Sequence, residues 1–546
     1  MRFFMTVLAL LAFVLPTFAQ EEDTDAIPEV VEEEAIAVEE EEEDDWVDVI
    51  FDDDEGLDIS IQVTNNAEYR FYETVMDNFQ KMKGMQTFTD DLAARIQFGD
   101  LVIGGTVRFW QPGYDNILTM SRQYKNELFK WYFGYSTEDI EAYYGTMYTT
   151  LGRGLTLHLY DDPMLDDVDN FLNGFYGSVD LGWFNIQALV GRGSYDYAAD
   201  KVYEDDIRAV EVSVNPYLPW IEIGAGIVSQ DQTVGEDFAN GTFIVKPLLM
   251  PSGHLSVTTD YVDLFAEYAI AKGYEQNGLD FERYDGSALY ASLVGYLDRH
   301  SLLLEYKDYD HFYNHWNAPP ECSFSGKPLE AAHSGVDETG YRAVLTVSPI
   351  IGLSISGGYA DAWNSNNQLS RTEYGGEARW DAWPLHIQAK GYLLGEKYEY
   401  QTDTSDPESY FRYTVDEIKP ELEVSYTFAN GHSLALHYLH EIKDSRIVIG
   451  TTDDNSNNQV NPQAYLTYNW SGLFSATVSF EKALEDIDPT ETRDYWITGL
   501  LTWHLGPDHD LTLFYGNERG GEVCSGGVCR TEPAFDGLKI ILETRL

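Results

Sequence analysis

The chain has 546 residues, with 93 Asp or Glu against 34 Lys or Arg, a net charge of −59. Such a surface repels phosphate backbones, which excludes nucleic acid as a partner. Length alone allows about three soluble domains. Yet no Pro/Ser-rich linker divides the chain, and no run of about 18 apolar residues past the N-terminus offers a helical membrane span.

The first residues combine Arg2 with a mostly apolar run over 3–14, then Leu15-Pro16 and Thr17-Phe18-Ala19. This is the pattern of an export signal, and the small residues Thr17 and Ala19 predict cleavage after Ala19, so that 1–19 is a signal peptide. Residues 20–56 hold 20 acids and no base, with an unbroken acidic block from Glu39 to Asp45. A chain of this kind repels itself and lacks the apolar surface to fold, so a disordered periplasmic tail is expected. Trp46, Val47, Val49, Ile50 and Phe51 sit among the acids. They keep a second reading open, in which the tail docks a periplasmic partner. The segment is too short for the folded plug that precedes the barrel in TonB-dependent transporters, and that architecture is rejected.

From residue 57 onward the pattern has period two. Tyr374, Ala378 and Trp380 alternate with Glu377, Arg379 and Asp381. Leu422, Val424, Tyr426 and Phe428 alternate with Glu421, Glu423, Ser425 and Thr427. Phe474, Ala476, Val478 and Phe480 alternate with Ser475, Thr477, Ser479 and Glu481. At the end of the chain Leu538, Ile540, Leu542 and Leu546 face away from Lys539, Glu543 and Arg545, with Ile541 as the exception. Two-faced strands of this kind occur in soluble sandwiches and in membrane barrels alike. The connections separate the two. Short ones are predicted near 99–100, 135–138, 181–183, 215–219, 248–254, 298–300, 350–352, 382–384, 429–432, 470–472 and 506–509. Long ones are predicted near 73–88, 111–125, 148–170, 192–206, 231–240, 273–285, 310–338, 361–371, 401–411, 446–459, 484–492 and 516–535. They interleave without a break, as in outer-membrane barrels with short periplasmic turns and long outer loops. The expected fold is all-β: a single large antiparallel transmembrane β-barrel over residues 57–546, of about 24 strands, with 22–26 compatible. An even strand number puts both termini in the periplasm. The last strand, ending on Leu546, resembles the signal read by the outer-membrane insertion machinery, though Leu stands where Phe or Trp is usual. The 38 Tyr, 27 Phe and 12 Trp suit aromatic girdles against the lipid. Residues 148–170 are counted as a loop although Thr150 to Tyr160 is strand-like. Two readings compete, an inward constriction and an extension of the neighbouring strands; extension is preferred, because an apolar strand inside a lumen needs something to pack on.

Three stretches carry a resemblance: Glu68-Tyr69-Arg70-Phe71-Tyr72-Glu73, Arg95-Ile96-Gln97-Phe98-Gly99-Asp100, and Tyr144-Gly145-Thr146-Met147-Tyr148-Thr149-Thr150-Leu151-Gly152-Arg153-Gly154-Leu155-Thr156-Leu157. Mainly over residues 57–180, the chain resembles a large family of predicted outer-membrane barrels of unknown function from diderm bacteria. Its members pair a G-x-x-Y-x-x-x-G-R-G-L-x-L stretch with a downstream Asp-rich turn, the place filled here by Asp161, Asp162, Asp166, Asp167 and Asp169. The resemblance implies the architecture and no substrate.

Strand parity selects the residues expected to line the lumen. They are the acids Glu305, Glu377, Asp381, Glu421, Glu423, Glu441 and Glu481, and the bases Lys307, Arg342, Arg379, Lys390, Lys443 and Arg545. An acid excess favours cations. Opposed charges on one face either set a transverse field or neutralise one another. His437 and Glu441 share the inward face, with His440 on the other; a lone His/Glu pair is no catalytic set. No nucleophile elbow, P-loop or metalloprotease pattern occurs, and no enzymatic activity is expected. Asp453-Asp454-Asn455-Ser456-Asn457-Asn458 and Asp161-Asp162 with Asp166-Asp167 lack the spacing of a calcium loop, and no metal or cofactor is expected. Cys524 and Cys529 predict a small disulfide-closed outer loop; Cys322 is left over. The leading expectation is a porin-like, cation-preferring channel for small solutes, in contact with outer-membrane lipid. The alternative is a non-channel barrel, a surface binding or secretion component recruited through the acidic tail; a hydrolase ranks last.

Overall fold

A computed structural model describes residues 59–75, 81–111, 125–160, 170–198, 201–215, 218–237, 242–277, 280–312, 314–329, 337–401, 410–449, 452–470, 472–484, 494–519, 521–525, 528–532 and 534–546. The expected signal peptide and acidic tail lie outside the described residues, as do Asp161, Asp162, Asp166, Asp167 and Asp169.

The described chain is strand and turn. In order the strands are β1 (Ile59–Val75), β2 (Lys81–Phe98), β3 (Leu101–Gln111), β4 (Lys125–Ser136), β5 (Ile140–Met147), β6 (Thr149–Leu151), β7 (Leu157–Leu159), β8 (Leu172–Asp180), β9 (Phe184–Ala198), β10 (Lys201–Val214), β11 (Ile221–Asp237), β12 (Thr242–Thr258), β13 (Val262–Asn277) and β14 (Asp280–Leu297). There follow β15 (His300–Asp310), β16 (Asp337–Ile350), β17 (Leu353–Trp363), β18 (Leu369–Ala382), β19 (Leu385–Gln401), β20 (Tyr410–Thr427), β21 (His432–Ile449), β22 (Thr452–Trp470), β23 (Phe474–Lys482), β24 (Tyr495–His504), β25 (His509–Glu518), β26 (Gly521–Ser525), β27 (Val528–Glu532) and β28 (Phe535–Arg545).

Setting aside β6, β7, β26 and β27, each strand pairs antiparallel with the next, β5 with β8 and β25 with β28. β28 pairs back onto β1, from Thr64↔Arg545 to Glu73↔Asp536. The wall is therefore a closed 24-stranded antiparallel barrel, within the expected range. Closure leaves no unpaired edge, which is what a sheet surrounded by hydrocarbon requires.

The outward face explains the sequence alternation. Ile418, Leu422 and Tyr426 of β20, Leu434, Leu436 and Tyr438 of β21, and Leu393 of β19 are exposed apolar side chains on one face. Further along the same strands, away from the short turns, that face carries Asp416, Asp444 and Arg446 instead. A membrane-spanning strand needs about 9–11 residues, whereas β20 and β21 have 18 each. In these strands the excess projects beyond the apolar band as a polar collar on the side away from the short turns.

This projection corrects the predicted loops. Much of 192–206, 231–240, 273–285 and 446–459 is strand, including Asp453 and Asp454, because polar residues on both faces of a strand outside lipid look like loop. A second correction concerns the short connection expected at 248–254. Those residues lie inside β12, and the turn is Thr259-Asp260-Tyr261, held by Thr259 N donating to Val262 O at 2.9 Å. Pro247, Pro251 and Gly253 are residue types common in turns. Instead Pro251 sits opposite Ile227 of β11 in an unbroken register, and its missing N–H falls where β12 and β13 skip pairing between Leu249↔Lys272 and Ser252↔Ala269.

Candidate functional site: the lumen and its inner loops

Residues 148–160 do not extend the wall; they fold inward. β5 and β8 have only 8 and 9 residues, since the chain leaves the wall at Met147 and returns at Leu172. Between them β6 and β7 form a small hairpin, Thr149↔Leu159 to Leu151↔Leu157. Leu151, Leu155, Leu157 and Leu159 are at most 2% exposed. The packing partner that sequence reasoning asked for is a second loop, residues 311–329 between β15 and β16, here termed the strap. Phe312, Trp316 and Cys322 of the strap join those leucines in one cluster with Ile207, Val228, Leu248, Met250 and Ala269 of the wall. An apolar core thus lies inside the barrel.

Backbone contacts join hairpin and strap. His158 N donates to Trp316 O at 2.7 Å, Ala318 N to Gly154 O at 3.1 Å, and Asn317 Nδ2 to Leu155 O at 2.9 Å. His158 Nδ1 lies 2.7 Å from Thr150 Oγ1, and burial pushes the ring below its ordinary pKa, favouring the neutral form. The Gly152-Arg153-Gly154 turn docks on two wall carboxylates. Arg153 N donates to Glu267 Oε2 at 2.9 Å, and Glu211 accepts from the Gly152 backbone. The Arg153 guanidinium lies 4.9 Å from the Phe265 ring centroid. Gly152 has φ of +56°, and a Cβ there would sit 2.5 Å from Glu267 Oε2. The Gly152-Arg153-Gly154 part of the motif that carries the family resemblance is the tip of this hairpin.

The strap runs along the inner wall from β10 to β20. At one end Trp316 Nε1 donates to Asp205 Oδ2 at 2.9 Å, and Asp205 also accepts from Gln230 Nε2 and Thr233 N. At the other, wall side chains satisfy its backbone. Arg342 donates to Ser323 O, Glu373 accepts from Phe324 N and Ser325 N, and Arg371 donates to Lys327 O and Pro328 O. Phe324 lies on Gly358 and Gly375, a cross-strand pair where a Cβ would collide with its ring. Lys307 Nζ is 2.5 Å from both Glu321 and Glu338.

The predicted lining residues fall into two groups. Glu305, Lys307 and Arg342 lie against the strap: Arg342 Nε is 2.5 Å from Glu305 Oε2, and the Tyr290 hydroxyl donates to Glu305 Oε1 at 2.8 Å. The others stand on the inward face nearer the turns or beyond the strap. Arg379 pairs with Asp381 at 2.8 Å, Lys390 with Glu421 at 3.3 Å, and Glu481 with Arg519 at 3.8 Å. Lys443 is opposite Glu417 in register. Glu377 accepts from Gln388, and Glu441 from Asn461. His437 is 3.5 Å from Glu421, with Glu423 opposite it, while His440 faces outward and bonds the Tyr438 hydroxyl at 2.8 Å. Arg545 stands exposed at the turn-side rim. Among the described residues Glu377, Glu423 and Glu441 have no ion-pair partner and neither does Lys443, so the predicted lining of this stretch keeps an acid excess. Two recesses adjoin the strap: one of about 170 Å³ beside Lys327, Arg371 and Tyr413, and one of about 290 Å³ beside Phe324, Lys390 and Tyr392.

Sequence reasoning missed Asp205, Glu211, Glu267, Glu338, Arg371 and Glu373, which hold the inner loops. No local signal separates them from other inward polar residues. No group of three or more His, Cys, Asp or Glu converges as a metal would need among the described residues. Cys524 and Cys529 are directly opposite in the β26–β27 register; their side chains lie outside the description.

The profile described as "Family of unknown function (DUF6029)" matches residues 54–319 and 422–546. No curated protein matches the chain. Among solved structures the chain is similar to "Copper transporter OprC" at 10% identity and a TM-score of 0.44, over 90% of this chain and 81% of that one. It is similar to the outer membrane transporter YddB from Escherichia coli at 8% identity and a TM-score of 0.46, over 89% and 81%. Similarity to Pseudomonas aeruginosa OpdO is 10% identity with a TM-score of 0.37, over 75% and 98%. With the family profile spanning most of the sequence, the chain belongs to the family of unknown function DUF6029.

Proposed function

We propose that this protein is an outer-membrane channel for passive passage of small solutes, with a preference for cations, and not an enzyme. The observation that carries the reading is the opposition of faces on a closed wall. Apolar side chains face out in a band, while Glu377, Lys390, Glu421, Glu423 and Glu441 face in. Large barrels enclose either an aqueous channel or a plugged lumen, and in this reading the path runs beside the packed inner loops. Acids without basic partners on β18–β21 support cation preference, since they raise the local cation concentration. The ion pairs of Arg379 and Lys390 favour mutual neutralisation over a transverse field. In this reading the short turns and both chain ends face the periplasm, and the collar and inner loops open to the exterior.

Single-channel recording in planar bilayers tests the proposal. Discrete conductance steps with a cation-selective reversal potential in a KCl gradient are expected. Absence of conductance, or anion selectivity, overturns it.

A further inference from the structure

The strap is fastened at its middle by a cluster whose charges do not balance. Lys307 of β15, 1% exposed, holds its Nζ 2.5 Å from Glu321 Oε2 of the strap and 2.5 Å from Glu338 Oε1 of β16. Two buried carboxylates share one ammonium. The second oxygen of Glu321, Oε1, is buried and has no hydrogen-bond partner among the described residues. The other groups facing Glu321 do not correct the excess. Arg371 of β18 is bound by Glu396 at 2.6 Å and by strap carbonyls. The Tyr309 hydroxyl donates to Pro320 O. The adjacent Cys322 thiol stays protonated, because burial pushes its pKa up to about 12.

We propose that docking of the strap on the barrel wall takes up one proton, carried by Glu321, so that the strap is held more tightly in mildly acidic than in alkaline solution. Protonation at the unpartnered Oε1 leaves the contact between Lys307 and Oε2 in place. It also leaves one ionised carboxylate, Glu338, for one ammonium. A buried unpaired charge costs far more than a buried neutral carboxyl.

Burial pushes Glu321 up to about 7 when docked; Lys307 opposes the rise and Glu338 adds to it. Undocked and solvated, the same carboxyl lies in the ordinary range near 4. The sign follows. The docked state binds the proton more tightly, so docking gains as pH falls from about 7 toward that range and loses the gain as pH rises through 7. Between pH 8 and pH 6 the docking equilibrium strengthens about tenfold. The inference concerns docking and stands whether or not the lumen conducts.

The test uses the full-length protein in detergent. Cys322 of the strap, 2% exposed when docked, reports opening through its modification rate with N-ethylmaleimide, read by peptide mass spectrometry. Hydrogen exchange of strap amides, corrected for intrinsic pH dependence, reads the same equilibrium. Relative to Glu321→Gln, which copies the protonated form, the wild-type opening ratio is expected to rise about tenfold from pH 6 to pH 8. Glu338→Gln removes the charge that adds to the effect of burial on Glu321 and is expected to move the rise to lower pH. Parallel profiles in all three proteins, pH-independent exchange of the strap, or opening on acidification overturn the proposal.

Discussion

The indole Nε1 of Trp316 donates to Oδ2 of Asp205 at 2.9 Å, joining a loop that leaves the wall at β15 to a strand five places round the barrel. Trp316 is 1% exposed and packs with the hairpin leucines. The bond therefore ties strap, hairpin and wall at one point. Trp316→Ala is expected to weaken strap docking by about 3–5 kcal/mol, the usual range for emptying a buried aromatic site. Hydrogen exchange should rise across 314–329 while the wall strands keep their protection, because ladder bonds hold the wall without the strap.

Lys307→Met leaves Glu321 and Glu338 buried without their cation. Removing one partner of a buried pair costs about 3–5 kcal/mol, so the strap should become protease-sensitive at pH 8. Combining it with Glu321→Gln and Glu338→Gln removes the stranded charges and should restore most of the protection; limited proteolysis with mapping of the cut sites distinguishes the two proteins.

Gly152→Val forces a β-branched residue to a φ of +56° and drives its Cβ against the Glu267 carboxylate. Positive φ at such a residue costs about 1–3 kcal/mol before the clash is counted. The hairpin 149–159 should lose exchange protection, whereas Gly177→Ala, whose nearest neighbour would be at 3.4 Å, should behave as wild type.

Selectivity should follow the acids of β18–β21. Glu377→Gln combined with Glu423→Gln is expected to reduce the cation-to-anion permeability ratio several-fold, on the general ground that fixed carboxylates concentrate cations. Lys390→Gln, which removes the lysine paired with Glu421, should raise it. Reversal potentials in a KCl gradient provide the measurement; movement of both variants in the same direction contradicts the assignment.

Period-two alternation on strands such as 421–428 and 474–482 was readable because each outward position must suit lipid regardless of its neighbours; strand number and interleaved connections followed. The turn misplaced at 248–254 lay beyond local reading, since a proline is tolerated or forbidden in a strand according to whether the facing strand needs its N–H. The strand-like character of residues 150–160 was visible, but its destination was not. An apolar hairpin folds into a lumen only if a surface awaits it, and that surface is a loop more than 150 residues later with side chains from β10 to β13. The sequence by itself determined a closed, lipid-facing wall, because the bilayer acts on every strand alike. Only the tertiary structure decided that Glu211, Glu267, Asp205 and Lys307 hold an inner core, because buried polar groups acquire their roles from partners that the chain brings together late.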